Sequence, residues 1–596
     1  MTYTHLPLTK GAARLIICAG SITVDGRKVD EIEVVYALSS DVVDCENLVV
    51  ADAVDAEGCL SVESGNSAFS IVYVNPESII RVYRATGEPV GIALPTLTDE
   101  ELTLEVVAGP EKYSGLSYDV PMRVDYEGHV YIVTAIGDHA FADCDELASV
   151  ILPQSIQHIG EGAFLRCGRM NEIILPDHLL SVGNWAFSGS ALQKIEFPAT
   201  TQYIGKGCCA NCRQLLSAVV KAKMRELPEN MFLACWNLNA VRLPELLTIG
   251  ASAFEQCRSL REVSFPATLR TISRSAFSGC VSLKNVTFPA GLTTIGQQAF
   301  WGCKSLTGVS VPSSVTTVDY AAFADCVNIR TATLSQSLET LGGWVFNRCS
   351  SIETCAIPTS QKELAPAIFN KCTSLNQIDI PNSVVRTGYS VFGDCTSVKS
   401  INFGSGLRVI GDETFYNLDA VKTIVIPENV DSIGRDAFEN CSAVETLSIP
   451  SKVQTIALNA FRDCLSLREV YSAMENPCEL PELGFADATF QSAALYVPQG
   501  TESVYKNKNF WKKFTRILPF DFTRINSVHD NLITIKSMDN VILVKNVPLL
   551  SVVSLYDENG RMFACQKVAD TETSFTVPQG FYLVKTPTCL TKIMVR

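Results

Sequence analysis

Histidine is scarce in this chain, with six in 596 residues. His5, His129, His139, His158, His178 and His529 include no His-Glu-x-x-His pair, and none stands beside a nucleophile motif. His139, His158 and His178 fall at different places in the repeat described below, so they do not share a face, and each reads as a surface histidine. A phosphate-cradling Gly-x-x-x-x-Gly-Lys-Ser/Thr loop is missing, and so is an Asp-x-Asp-x-Asp-Gly calcium loop. Basic residues are outnumbered, 48 Lys and Arg against 63 Asp and Glu, for a net charge of −15. That balance argues against nucleic acid or an anionic membrane as partner, since both need basic patches. No apolar run reaches about 18 residues, so no transmembrane helix is expected. Met1-Thr2-Tyr3-Thr4-His5-Leu6 is not a secretory signal, and the apolar run ending at Cys18 is short and reads as a strand. The protein therefore either stays inside or begins after a removed signal. With 47% hydrophobic and 19% charged residues, the chain is folded rather than disordered.

What is present is a repeat. Ile136-Gly137-Asp138-His139-Ala140-Phe141-Ala142-Asp143-Cys144 returns every 22 or 23 residues as far as Ala460-Phe461-Arg462-Asp463-Cys464. The Phe stands in 14 of 15 units, with Cys209 in the remaining slot, and Cys follows three residues later in 13 of 15. Gly stands four residues before the Phe in 10 of 15. Each unit closes on a short alternating run ending in Pro, such as Val263-Ser264-Phe265-Pro266 or Ile378-Asp379-Ile380-Pro381. A period of this length is the signature of a repeat solenoid, because one unit cannot bury its own apolar face and must stack on its neighbours. At a strand spacing of ~4.8 Å, 15 units predict a stack on the order of 70 Å long.

Within one unit the alternating run predicts a strand of about four residues, with Val263 and Phe265 inward and Glu262 and Ser264 outward. Pro ends it. A second short extended piece is expected at the aliphatic-Gly pair, where Gly signals either positive φ or close backbone approach. Ala-Phe-x-x-Cys-x-x-Leu has the i, i+3, i+6 apolar spacing of one or two helical turns.

The pattern Leu-x-x-Val-x-Ile-Pro-(loop)-Ile-Gly-x-x-Ala-Phe-x-x-Cys resembles the BspA-type leucine-rich repeat of bacterial surface proteins. The resemblance covers about residues 117–519. It implies an α/β solenoid of short parallel strands and a role in adhesion or binding. Ala494-Leu495-Tyr496-Val497-Pro498 through Phe510-Trp511-Lys512-Lys513-Phe514 resembles the closing unit of such proteins.

The 22 cysteines invite a disulfide framework, but stacking argues against one in the ladder. Equivalent Cβ atoms would lie at the ~4.8 Å strand spacing instead of the ~3.8 Å a disulfide prefers. A buried thiol acting as a small hydrophobe is the expectation. The 22–23-residue interval is wrong for zinc, so no metal site and no cofactor are assigned. Cys209 and Cys212 form one Cys-x-x-Cys, but both occupy ladder slots. A bridge among Cys18, Cys45 and Cys59 stays open.

Three domains are expected: a β-rich N-terminal region at 1–116, the solenoid with its caps at 117–523, and a C-terminal β-sandwich-like module at 524–596. Residues 117–136 read as a lead-in hairpin with Glu127-Gly128 at its tip, covering the open end of the stack. The last module resembles the C-terminal sorting domain of type IX secretion cargo in Bacteroidetes, through Tyr556, Asp557, Gly560 and Arg561, then Pro578, Gly580, Tyr582, Val584 and Lys585. A small immunoglobulin-like sandwich without a sorting role is the other reading.

Binding is to be sought at the outward strand positions. From Asn285 to Ser448 these form a nearly uncharged track of Ser, Thr, Asn and Gln. Asn285, Thr287, Thr331, Thr333, Thr354, Gln377, Asp379 and Asn402 are the candidate contacts for an extended peptide or glycan; the plain alternative is that Thr and Ser suit a solvated sheet face. Trp185 and Trp344, two residues before their Phe, are either contacts or local packing. The reading is a non-enzymatic, secreted or cell-surface protein that binds an extracellular protein or glycan. The alternative is a structural spacer presenting an N-terminal binding module. An enzyme hidden in residues 1–116 would have His5 as its only histidine.

Overall fold

A computed structural model of the chain describes residues 102–108, 112–126, 129–522 and the strands of 534–595; before residue 102 it gives short backbone strands alone. Cys18, Cys45 and Cys59 and the expected tip Glu127-Gly128 lie outside the described residues. The chain divides into two compact units, residues 1–305 and 306–596.

Both units are built from the same rung. A first short strand ends at the proline or just before it, a second follows the crossover, and each pairs in parallel with its equivalents in adjacent rungs. In the first unit the first strands include Lys194–Phe197, Ser217–Val220 and Ala240–Arg242. Its second strands include Glu226–Leu227, Thr248–Ile249, Thr271–Ile272 and Thr294–Ile295, in register at Thr and Ile. In the second unit the first strands include Gly308–Ser310, Thr331–Thr333 and Thr354–Cys355, then Gln377–Asp379 and Ser400–Asn402. The middle residues Val309, Ala332 and Ile378 are buried, as alternation requires. Around Val263 and Phe265 the run forms no strand, and Phe265 is only half-buried.

The expected helical turn at Ala-Phe-x-x-Cys is not formed. Residues two before and two after the Phe take positive φ in rung after rung: Trp344 at 63° and Arg348 at 60° flank Phe346, and Ala367 at 53° and Lys371 at 63° flank Phe369. Left-handed residues alternating with right-handed ones make a flat corner. Half of its N–H groups close turns within the rung, as Asn347 N–H does to the Trp344 carbonyl at 3.0 Å. The other half point along the stack: Trp344, Phe346 and Arg348 donate to the Pro366, Ile368 and Asn370 carbonyls at 2.9, 2.9 and 2.8 Å. A helix would satisfy its donors internally and leave none for the next rung.

Of the two readings of the recurrent Gly, close approach is correct. At Gly411 a Cβ would stand 2.4 Å from the Thr387 carbonyl oxygen of the preceding rung, and its φ is not positive.

The Phe side chains stack as a column. In the first unit Phe254 lies 5.0 Å from Phe277, which lies 5.2 Å from Phe300; in the second, Phe369, Phe392 and Phe415 follow at 5.6 and 5.7 Å with planes within 6°. These are offset-stacked separations. The second unit carries the column one ring past the last repeat, to Phe485, 5.2 Å from Phe461. There the cap closes over it with Trp511 and Tyr505, both fully buried. The Tyr505 hydroxyl donates to the Met474 carbonyl at 2.7 Å, and Trp511 Nε1 donates to that of Cys478 at 2.9 Å.

At the other end, Arg123–Tyr126 and His129–Ile136 form the lead-in hairpin. The sheet extends past it: Leu102–Ala108 pairs in parallel with His129–Ile136 and antiparallel with Val90–Ala93. The C-terminal module is two antiparallel sheets around one core, Ile542, Val544, Val553, Leu555, Phe575, Val577, Tyr582 and Val584.

Candidate functional site

The outward face of the first strands holds the candidate residues. In the first unit Asn285 and Thr287 are exposed, on a stretch outside any strand. In the second unit Thr331 lies between Gly308 and Thr354 on directly paired strands, and Thr333 pairs with Ser310. Thr331, Thr333 and Thr354 are exposed. Gln377 pairs with Ser400, and Asp379 with Asn402.

This last pairing makes a cluster. Gln377 Nε2 donates to both carboxylate oxygens of Asp379, at 2.6 and 2.7 Å, and Asn402 Nδ2 donates to Oδ1. Asp379 is exposed, while the two amides are half-buried. The carboxylate so anchored keeps Gln377 and Asn402 in one orientation, and the cluster can exchange hydrogen bonds with hydroxyls or amides of a ligand. The structure therefore brings together Thr331 with Thr354, and Gln377 with Asp379 and Asn402. These belong to separate strand ladders, one ending at Cys355 and the next starting at Gln377.

Sequence reasoning missed two features of the surface. Ile151, the last residue of one first strand of the first unit, and Ile174, one residue past the end of the next, are 61% and 82% exposed. The corner edge of the second unit is also rich in exposed aromatic and acidic side chains. Trp344, 39% exposed, sits there with its ring tilted 43° to Tyr320 at 6.4 Å. Trp185 differs: its ring covers Gly207 of the next rung, where a Cβ would be 2.2 Å away, so it is packing.

The cysteine column is packed inside the stack. All cysteines of the described residues are free thiols, and the ladder ones are buried. Burial pushes the Cys167 thiol up to about 12, so it stays protonated and donates to the Phe141 carbonyl at 3.0 Å. Cys212, in the lone Cys-x-x-Cys, is fully buried with its sulfur 3.0 Å from the Phe187 carbonyl and 3.3 Å from the Ser190 hydroxyl. Among the described residues no group of three or more His, Cys, Asp or Glu could hold a metal ion, and no helix is long and apolar enough to cross a membrane.

Stacked short parallel strands with leucine or isoleucine at fixed buried slots define a leucine-rich repeat solenoid. The chain belongs to the BspA type leucine rich repeat region family, whose model matches residues 134–257, 247–376 and 362–479, more than half of the 596 residues. Among solved structures, the chain is similar to a leucine-rich repeat protein from Bacteroides ovatus, with 23% identity over 65% of this chain and 94% of that one and a TM-score of 0.45. It is similar to a leucine rich cell surface protein from Faecalibacterium prausnitzii, with 21% identity over 67% and 95% and a TM-score of 0.32. The pneumococcal vaccine antigen PcpA follows at 19% identity over 73% and 98%, with a TM-score of 0.30. No curated protein matches the chain.

Proposed function

We propose that the protein is a non-enzymatic adhesion or binding protein, displayed outside the cell, that takes an extracellular protein or glycan on its first-strand face. The observation that carries this reading is the hydrogen-bonded polar cluster Gln377–Asp379–Asn402 on a pair of parallel strands. Side chains already fixed by one another lose little freedom on binding, which favours affinity from modest contacts. Thr331, Thr333 and Thr354 offer hydroxyls on the neighbouring ladder, and in the first unit Thr287 offers a hydroxyl and Asn285 an amide. Long regular repeat faces suit extended ligands, and family membership supports a binding role. Nucleic acid is disfavoured by the net charge of −15.

Display would require an export signal acting first. The C-terminal module is read as a type IX sorting address of the Bacteroidetes kind. Its motif residues Tyr582 and Pro578 are joined by a 3.1 Å hydrogen bond from the phenol to the carbonyl, which supports treating them as one structural element.

The test is an array of extracellular proteins and glycans probed with the full chain and with the full chain carrying Thr331→Lys and Thr354→Lys. Both positions are exposed, so the variant should melt like the parent while its array signal falls by about tenfold or more. A signal unchanged by this pair and by Asp379→Ala alike sinks the reading and leaves the spacer alternative, with binding carried by residues 1–116.

A further inference from the structure

In the second unit the residues from three before each Phe to two after it line one edge of the stack. In the rungs of Phe392, Phe415 and Phe438 that edge carries Asp394, Asp412, Glu413, Asp436 and Glu439 against one guanidinium, Arg435. Arg462 of the following rung reaches back to Glu439 at 3.5 Å. Two tyrosines are interleaved: Tyr389, 49% exposed, and Tyr416, half-buried. The Tyr389 phenol is pushed above its ordinary range by its hydrogen bond to Glu413, then by burial and by Glu413, Asp436 and Asp412. Tyr416 is pushed up by burial, then by Glu439, Asp394, Glu413 and Asp436. Glu413 and Asp436 thus act on both rings.

The base of this cluster is short of donors. Asp436 is only 8% exposed; its Oδ2 accepts from Arg435 Nε at 3.1 Å, and its Oδ1 has no partner among the described residues. Its carboxyl also meets that of Glu439, which burial and that contact hold above the usual carboxylate range. Asn459, 7% exposed at the equivalent position of the next rung, has a second unpartnered oxygen, Oδ1. These carboxylates stand on corners tied from rung to rung by backbone hydrogen bonds, such as Glu413 N–H to the Arg435 carbonyl at 2.8 Å, so they cannot spread apart as they would on a loose loop, and added positive charge relieves the repulsion that Arg435 and Arg462 leave.

We propose that the edge from Tyr389 to Glu439 docks a lysine- or arginine-rich protein segment. Ammonium or guanidinium groups would donate to Asp412, Glu413 and Glu439 above the buried charge of Asp436 and lie against the Tyr389 and Tyr416 rings. This surface is distinct from the first-strand face, and the two are tested with different probes and different variants, so either reading can fail alone.

The experiment measures fluorescence anisotropy of a labelled oligolysine peptide and a labelled oligoglutamate peptide with the full chain, at low and physiological salt. The oligolysine should bind with salt-dependent affinity and the oligoglutamate should not. Glu413→Gln with Glu439→Gln should weaken oligolysine binding by about fivefold or more, and Tyr389→Ala should weaken it as well. Glu172→Gln with Glu262→Gln removes the same charge from exposed sites of the first unit, and should change binding by less than about twofold. Thermal melts of all variants check folding. The proposal is overturned if oligolysine does not bind, if the Glu413/Glu439 pair leaves affinity unchanged, or if both pairs weaken it equally, which would mean diffuse attraction to an acidic protein.

Discussion

The Cys280 thiol donates to the carbonyl oxygen of Phe254, 3.1 Å away and 26 residues back in the chain. The same bond recurs from Cys257 to Phe232, Cys372 to Phe346 and Cys441 to Phe415, at 3.1, 3.3 and 3.2 Å. The repeated cysteine is therefore a donor as well as a filler. It tethers each rung to the one before, at a carbonyl that the flat corner turns inward. Cys280→Ala should cost about 1–2 kcal/mol in urea unfolding, from the lost bond and lost volume. Cys280→Ser keeps a donor and should cost no more than Ala. A larger loss for Ser than for Ala would mean that the slot tolerates only apolar groups, and that the thiol–carbonyl contact contributes nothing. The chain holds natural versions of both answers: Ser190 occupies the slot in one rung, and buried Leu418 fills it by packing in another.

Alkali should unfold the protein before the thiols titrate in the native state. Burial raises Cys167 from its ordinary 9.0 to about 12 and pushes Cys257 and Cys372 up as well. A folded value above the unfolded one gives stability that is complete below pH 9 and is lost as pH rises from there toward 12. In that window the unfolded chain binds fewer protons than the native one. Each such thiol then contributes a fall of up to about 1.4 kcal/mol per pH unit. Urea midpoints measured at pH 8 and pH 10 should drop steeply, and an unchanged midpoint would contradict buried, protonated thiols. At neutral pH a thiol reagent should label exposed Cys565 in the native protein and reach the ladder cysteines only in denaturant.

The aromatic column carries stability. Phe392 stacks on Phe369 at 5.6 Å and Phe415 at 5.7 Å and is 1% exposed. Phe392→Ala should destabilise by roughly 3–5 kcal/mol, read from the denaturant midpoint. A melt indistinguishable from the parent would be incompatible with a packed column.

Backbone conformation separates two kinds of position that look alike in sequence. Gly411→Ala places a methyl 2.4 Å from a carbonyl of the preceding rung and should cost about 1–3 kcal/mol. Lys371 holds φ of 63°, which any Cβ disfavours, so Lys371→Gly should be neutral or stabilise by up to about 1 kcal/mol. Opposite signs in one set of melts check both at once. If Lys371→Gly destabilises as Gly411→Ala does, the left-handed corner is wrong.

The stacking was legible because the Phe and Cys slots recur at a fixed interval, and a slot repeated in register has to form a column. The corner was not, because i, i+3, i+6 apolar spacing is common to a helical turn and to a string of alternating left- and right-handed turns. A signal did exist: the position two after the Phe is Gly, Asn or Asp in ten of fifteen rungs, among them Asp143, Asn211, Gly279, Asn417 and Asp463, and these residues tolerate positive φ best. The candidate face was legible as a list of outward residues but not as a constellation. That Asp379 takes Asn402 as partner depends on register between rungs, and its hold on Gln377 on side-chain conformation. The acidic corner was hidden for the same reason as the missing helix, since its members stand at positions that a helix would have scattered.

The Asp379 cluster separates order from stability. Asp379 is exposed, and hydrogen bonds of this kind at a surface contribute about 1 kcal/mol or less. Asp379→Ala should therefore leave the melt nearly unchanged while freeing the Gln377 and Asn402 side chains to move. In nuclear magnetic resonance, the two side-chain amide groups should lose their distinct shifts and move toward solvent-like values. Ligand binding on this face should weaken more than the loss of one contact predicts, because both amides must then be ordered at the moment of binding. Asp379→Asn is the control: it keeps the size and one acceptor oxygen, so the amide shifts should move less. If both variants leave the amide spectra and the binding as in the parent, the cluster is a crossing of side chains on a solvated sheet, and the candidate site must be sought elsewhere on the rungs.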